Sequence, residues 1–287
     1  MSNLRRAGAV ALALLTLPLP DARQDPARGA EPAPAPAKSA NGNCRRAAFR
    51  VVVDVGHTLD EPGAISARGT PEYAFNLQLA NEVRQTLVDA GFEKTVLLIT
   101  ATAPPAGLLE RANRANRLPA DLFISIHHDS VPDYLLETWQ YEGRESHFSD
   151  RFSGYAIFIS NDNGDRAGSL AFARLLGRAL NARDLHYTPH YTLALMRNRR
   201  RQLLDAKAGV YRYDQLIVLR DTRMPAVLLE AGSIINRKEE LELASPERRT
   251  RTSAAVAAAV ADFCAARFGG KDGRRLKRPM AAKRPGR

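Results

Sequence analysis

Long apolar runs are nearly missing from this 287-residue chain. Beyond Ala7–Leu19 no stretch is long enough to span a membrane, and that run is itself too short, ended by Pro18 and Pro20. Cysteine is scarce: Cys44 and Cys264 are the only two, and their separation excludes a zinc knuckle. Internal repeats are absent, so a repeat array is excluded. The Gly/Pro-containing loop after Gly56-His57 lacks the G-x-G-x-x-G spacing, so it is not a phosphate cradle.

What is present is the make-up of a globular protein, 45% hydrophobic with mixed charge. The length suits one large domain or two small ones, with a sizeable core. The formal net charge is +11, but it is unevenly placed. Lys271–Arg287 holds eight Lys/Arg and one Asp, so +7 of the +11 lies in the last 17 residues. Such a tail favours anionic partners in a salt-sensitive way, and nucleic acid, anionic lipid and acidic wall polymers are candidates. A solvated, disordered tail is the plainer reading.

At the other end, Arg5-Arg6 followed by Ala7–Leu19 reads as the charged and apolar regions of a secretory signal. It ends near Ala22, without a clean A-x-A site, and an uncleaved anchor is the alternative. Residues 23–43, with PAPAPAK at their centre, read as a disordered linker. The folded domain is expected over 44–268 and a basic disordered tail over 269–287. In an exported protein the two cysteines suggest a disulfide from the start of the domain to its last helix, with two free thiols as the alternative.

Along the domain, strands are expected at Phe49–Val55, Lys94–Thr100, Asp121–Ile126, Gly154–Ser160, Gln215–Leu219 and Ala226–Glu230. Helices are expected at Pro71–Ala90, Ala106–Arg117, Ala167–Asn181, Asn236–Leu243 and Pro246–Phe268. Residues 129–153 read as a long loop and 184–213 as irregular. Strands alternating with helices imply an α/β fold: a three-layer sandwich, its mostly parallel mixed sheet covered by helices on both faces.

Three strands end on an ionisable residue: VVVDVGH at His57, LFISIH at His127 and AVLLE at Glu230. Sites in α/β sheets form outside the carboxyl ends of the strands, so these three can face one crevice. Glu72 joins them from the start of a helix. Two histidines and one carboxylate leave a fourth position open on a tetrahedral metal, and a second carboxylate can act as base. Taken singly, each residue has a plainer role: a hydrogen-bonded loop histidine, or a first-turn glutamate favoured by the helix dipole. Glu230 is the odd one, because a carboxylate ending a buried strand needs a partner.

These residues resemble the zinc-dependent N-acetylmuramoyl-L-alanine amidases of bacterial cell-wall turnover, the amidase-3 type. The first shared motif is Asp54-Val55-Gly56-His57, then Pro62-Gly63-Ala64, then Glu72 to Asn76-Leu77. The second is Arg111 and Ala115-Asn116 ahead of LFISIHHD, and the third is VLLEAGSIINRKEE. The likeness runs from about Arg50 to Phe268. It implies Zn2+ held by His57, Glu72 and His127, with Glu230 as catalytic base and Asn76 orienting Glu72. It implies a secreted, periplasmic enzyme acting on peptidoglycan in wall remodelling or daughter-cell separation. A monomer is expected, with no nucleic-acid partner. An activator protein is an open option.

Two departures stand out. His128 follows His127 where a small residue is common; steadying an oxyanion, touching substrate and facing solvent are its open roles. The segment 184–213 is long and carries Arg197, Arg199, Arg200 and Arg201, which can hold glycan or stem-peptide carboxylates. His128 and His190 are alternatives to Glu230 as proton donor to the leaving amine. Residues 129–153 hold Glu137, Glu142 and Glu145 but no strong helix pattern, so a self-inhibiting helix is not expected there. A zinc carboxypeptidase acting on stem peptides and a non-catalytic wall-binding module are the competing functions.

Overall fold

A computed structural model describes residues 44–268. The expected signal segment, linker and basic tail lie outside the described residues. In chain order the elements are β1 (Val51–Val55), α1 (Glu72–Asp89), β2 (Val96–Leu98), α2 (Ala106–Arg117), β3 (Leu122–Asp129), β4 (Glu137–Tyr141), β5 (Arg144–Phe148), β6 (Ala156–Ile159), α3 (Arg166–Asn181), β7 (Leu203–Asp205), β8 (Val210–Arg212), α4 (Ile217–Arg220), β9 (Ala226–Ser233), α5 (Glu239–Ala244) and α6 (Pro246–Phe268).

Seven strands form one sheet in the order β2-β1-β3-β9-β6-β8-β7, and β4 and β5 form a separate hairpin. The pairs β1–β2, β1–β3, β3–β9 and β6–β8 are parallel, whereas β6–β9 and β7–β8 are antiparallel. The sheet is thus mixed and mostly parallel, as expected.

Period-two alternation with helices on both sides explains why β1 is apolar on both faces except at Asp54. Val51, Val53 and Val55 enter one core with Leu79, Val83 and Leu87 of α1, Phe172 and Leu176 of α3, and Val256, Val260 and Phe263 of α6. Val52 enters the other core, with Ala115 of α2, Phe123 of β3, Val218 and Leu219 of α4, and Leu228 of β9. Helices therefore cover both faces. Each fully buried Val, Leu or Phe side chain stabilises this arrangement by roughly 1.5–3 kcal/mol.

Cys44 and Cys264 form a disulfide that closes 220 residues of chain, settling the alternative of free thiols. A Cys44→Ala/Cys264→Ala variant is expected to lose about 2–4 kcal/mol, or roughly 4–16 °C in melting midpoint. A thermal melt matching the wild type would show that the bridge contributes nothing.

Three expectations need correction. Gln215–Leu219 is not a strand: Ile217–Arg220 is the helical turn α4. Asn163 Nδ2 donates to the Leu219 carbonyl and Thr222 Oγ1 to that of Val218, so its end is capped by side chains. A short apolar run cannot be assigned to strand or helix by periodicity. Residues 129–153 are not simply a loop, because β4 and β5 pair across a two-residue turn at Glu142-Gly143. Both turn residues have positive φ, 50° and 75°, as a right-twisting hairpin requires. Apart from the short turn Asp133–Leu135 the segment holds no helix. The stretch read as irregular carries β7 and β8, three residues each at the sheet edge.

Candidate metal centre

β1 runs straight into His57, which has φ of 65°, a left-handed backbone unusual for a residue with a side chain. The buried Arg111 holds it there. Its guanidinium donates to the carbonyls of Val55 and His57 and pairs with Asp54 at 2.9 Å. Ser125 Oγ donates to the other Asp54 oxygen at 2.7 Å. Burial pushes the Asp54 carboxyl up, and Arg111 and Ser125 offset only part of that. Arg111 and Asp54 are thus scaffold, an internal ion pair that aims the His57 loop. Asn116 does similar work nearby, bonding the Asp221 carbonyl and the Arg223 amide.

Glu72 opens α1 behind Pro71, whose extended backbone suits the N-cap position. Its carboxylate bridges the two imidazoles: Oε2 lies 3.0 Å from His57 Nε2 and Oε1 lies 3.0 Å from His127 Nδ1. Asn76 Nδ2, one helical turn on, donates to Glu72 Oε1 at 3.1 Å and to the Gly56 carbonyl at 3.3 Å. The backbone N–H groups of Ala64 and His128 also donate to the carboxylate, each at 3.2 Å. Burial opposes charge on Glu72, but the hydrogen bonds from His127 and His57 outweigh it and hold the carboxyl well below its usual range.

His57, Glu72 and His127 each offer a donor atom, all within 4.8 Å of one another. Two neutral imidazoles and a carboxylate suit a divalent cation of borderline softness with an open position. The cradle is shaped for them. A Cβ on Gly63 would sit 2.6 Å from both Glu72 Oε2 and His57 Cδ2, and one on Gly56 would strike the His127 ring. The residues present therefore fit the metal.

Glu230 faces the same crevice. It is the direct cross-strand partner of His127 on β3, so both side chains stand on one face. Contrary to the sequence expectation, neither residue ends its strand: β9 runs on to Ser233 and β3 to Asp129. Glu230 Oε2 is buried with no hydrogen-bond partner among the described residues. Burial, then the charges of Asp129 and Glu72, push its carboxyl well above the usual range, against the pull of Arg199. A carboxylate held this way is poised to take a proton.

The structure narrows the roles of the other histidines. The β3 register shifts between His127 and Asp129, a bulge that turns neighbouring side chains in different directions. His128 is buried, 2.8 Å from Asn76 Oδ1 through Nδ1 and packed on Phe75. It does not face solvent, and its place is behind Asn76, the side chain that bonds Glu72. His190 is also buried, bonded to Thr188 Oγ1 at 2.7 Å and lying 3.2 Å from Asp129 Oδ2. Sequence reasoning passed over Asp129, Tyr191 and the particular placement of Arg199. Asp129 met the criterion that found Glu230, since it closes LFISIHHD at a strand end.

Burial lowers the His128 pKa from its ordinary 6.5 to about 3. The unfolded chain takes up that proton near pH 6.5 and the folded chain only near 3. The stability tied to neutral His128 is thus complete above 6.5 and is lost as pH falls from there toward 3, at about 1.4 kcal/mol per unit. Denaturant titrations of metal-free protein at several pH values are expected to show this slope, and His128→Asn to flatten it. An unchanged slope in the variant would count against the account.

This donor set, with an unpaired carboxylate beside it at the carboxyl ends of a mixed sheet, fits the class of metal-assisted hydrolases. Comparison with known proteins names the family. The model of the Amidase_3 family, described as N-acetylmuramoyl-L-alanine amidase, matches residues 51–262, and the chain belongs to that family. The amidase AmiC of Neisseria meningitidis is 26% identical over 242 residues, 79% of this chain and 54% of that one. The chain thus spans about half the length of that curated relative. The catalytic domain of the amidase CwlV of Bacillus (Paenibacillus) polymyxa superposes with a TM-score of 0.54 at 25% identity, over 75% of this chain and 97% of that one. An amidase of Mycobacterium smegmatis superposes with a TM-score of 0.58 over 76% and 98%. At 19% identity that likeness speaks for the fold.

Proposed function

We propose that the protein is a zinc-dependent hydrolase of the amide bond between N-acetylmuramic acid and L-alanine in peptidoglycan. The observation that carries this is the convergence of His57, Glu72 and His127 within 4.8 Å, with Glu230 across the strand from His127. In this reading His57, Glu72 and His127 hold the zinc. When bound, zinc supplies Lewis acidity at the amide carbonyl and at the attacking water. Glu230 takes the proton of that water on a carboxylate oxygen and returns it to the departing amine of L-alanine. Asn76 keeps Glu72 oriented. Arg111 pins the His57 loop from below. The products are a glycan strand and a free stem peptide. We place the enzyme outside the cytoplasm, in the periplasm, where an oxidising environment suits the Cys44–Cys264 bridge.

Product analysis of digested peptidoglycan tests the proposal. Free stem peptide is expected, lost on adding chelator and regained with zinc. Release of a terminal amino acid would make the protein a carboxypeptidase instead. Binding to the wall without products would make it a non-catalytic module.

A further inference from the structure

Four arginines stand close together at positions 197–201, and the fold gives them different work. Arg197 stacks 4.2 Å from the Tyr134 ring. Arg201 stacks 4.0 Å from the Tyr213 ring and donates to the carbonyls of Asn198 and Arg200. Arg200 is exposed. Arg199 turns to the candidate site. Its Nη2 lies 3.6 Å from Oδ1 of Asp129, two residues beyond His127 on β3.

The short turn that carries Arg199 is strained. Arg197 has φ of 48° and ψ of −120°, a conformation that costs an ordinary residue of order 1–3 kcal/mol. Tyr134 holds the turn from outside, stacking on Arg197 and donating to the Leu195 carbonyl at 2.8 Å. The Arg201 amide donates to the Tyr191 carbonyl at 2.8 Å from inside. The effect is to fix where Arg199 points.

Asp129 and Tyr191 both act on Arg199 but do not occupy its whole fork. The 3.6 Å separation is too long for a hydrogen bond. Tyr191 already donates to the same Asp129 oxygen at 2.7 Å, and His190 stands beside the other one. The Arg199 side chain is 38% exposed, against 1% for Asp129, so part of it is open to solvent and free to meet a ligand. The charge of Glu230 also acts on it.

Position then indicates what the open edge meets. Glu230 returns a proton to the departing amine, so it stands on the peptide side of the scissile bond. Arg199 sits at Asp129, two residues beyond the His127 that pairs with Glu230, and is placed on that side too. The stem peptide carries free carboxylates, and a guanidinium matches a carboxylate with two parallel hydrogen bonds. We propose that Arg199 is the specificity-determining residue of the site, binding a stem-peptide carboxylate on the leaving-amine side of the scissile bond. This rests on the amidase reading above.

The test uses two muramoyl peptides that differ only in a free carboxylate or a carboxamide on the residue after L-alanine. The wild type is expected to prefer the carboxylate by about 10- to 100-fold in kcat/KM, the range of a charge-assisted hydrogen bond. Arg199→Gln is expected to bring that ratio near one, mostly through KM, with zinc content and melting midpoint unchanged. Arg199→Lys, which keeps the charge and loses the fork, falls between. A second arm measures calorimetric binding of the two free stem peptides, which needs no turnover. A wild type without preference, or an Arg199→Gln enzyme that keeps it, would overturn the proposal. If the wild type cleaves neither substrate the amidase reading fails, and the binding arm alone decides the role of Arg199. Should Arg199→Gln melt early, Arg199→Lys and the binding arm carry the decision.

Discussion

Replacing Glu230 by alanine is expected to leave zinc bound at full stoichiometry and to lower kcat about 10²- to 10⁴-fold, the span that a positioned general base contributes. The two halves of this result have separate structural origins. The proposed metal donors come from the end of β1, the start of α1 and β3, and none of them bonds Glu230. The proposed base comes from β9, which pairs with β3 and places Glu230 opposite His127. Its Oε2 has no partner among the described residues, so no hydrogen-bond network unravels when it goes. Glu230→Gln keeps the volume and is expected to show the same loss of rate. It should also melt higher than the wild type in metal-free protein at neutral pH. Burial and the neighbouring charges of Asp129 and Glu72 make the ionised form costly there, and the amide carries no charge to repel. A gain in stability with a loss in rate is the signature of a group kept for chemistry. Elemental analysis, steady-state rates and thermal melts read the three quantities. Near wild-type turnover in either variant would sink the assignment.

The site was more legible in the sequence than its surroundings were, and the reason is physical. His57, His127 and Glu230 end or interrupt apolar strands, where an ionisable side chain stands out against a buried background. Glu72 sits behind a proline at a helix start, which is an equally sharp signal. The hairpin from Glu137 to Phe148 offered no such contrast. Its strands are largely exposed, their side chains are mostly polar, and the turn is Glu142-Gly143 instead of a stronger turn pair. Ile217–Arg220 packs in the core through Val218 and Leu219, and four residues are too few for a period to show. The β7 and β8 strands have three residues each, below what alternation can mark. His128 is a different kind of miss. Its neighbour His127 faces the crevice, and His128, next along the strand, turns away to bond Asn76, a partner on α1 that alternation alone does not identify. Arg199 could be found as one of a cluster but not chosen from it. What singles it out is a strained turn at Arg197 and the reach to Asp129, both tertiary facts.

Removing a metal donor is expected to abolish stoichiometric zinc and with it all measurable hydrolysis, whereas loosening the donors from behind weakens zinc in a graded way. His57→Ala, His127→Ala and Glu72→Gln test the first case. Glu72 is the most exposing of the three, because its two oxygens face both imidazoles at 3.0 Å. Glutamine there keeps the shape but removes the charge that balances a divalent cation. Asn76→Ala tests the second case. Asn76 donates to Glu72 Oε1 and to the Gly56 carbonyl, and accepts from buried His128. Its loss frees the carboxylate to rotate, and supporting groups of this kind typically contribute 10- to 100-fold in metal affinity. Zinc titration against a competing chelator is thus expected to rank the proteins as wild type, then Asn76→Ala about 10- to 100-fold weaker, then the donor variants with no stoichiometric site. Excess zinc should restore turnover to Asn76→Ala and not to the donor variants, since the chemistry beyond the metal is intact in the first and has nothing to act with in the others. Stoichiometric zinc in both histidine variants would remove His57 and His127 from the metal. Wild-type affinity in Asn76→Ala would leave Glu72 oriented by the Ala64 and His128 amides alone.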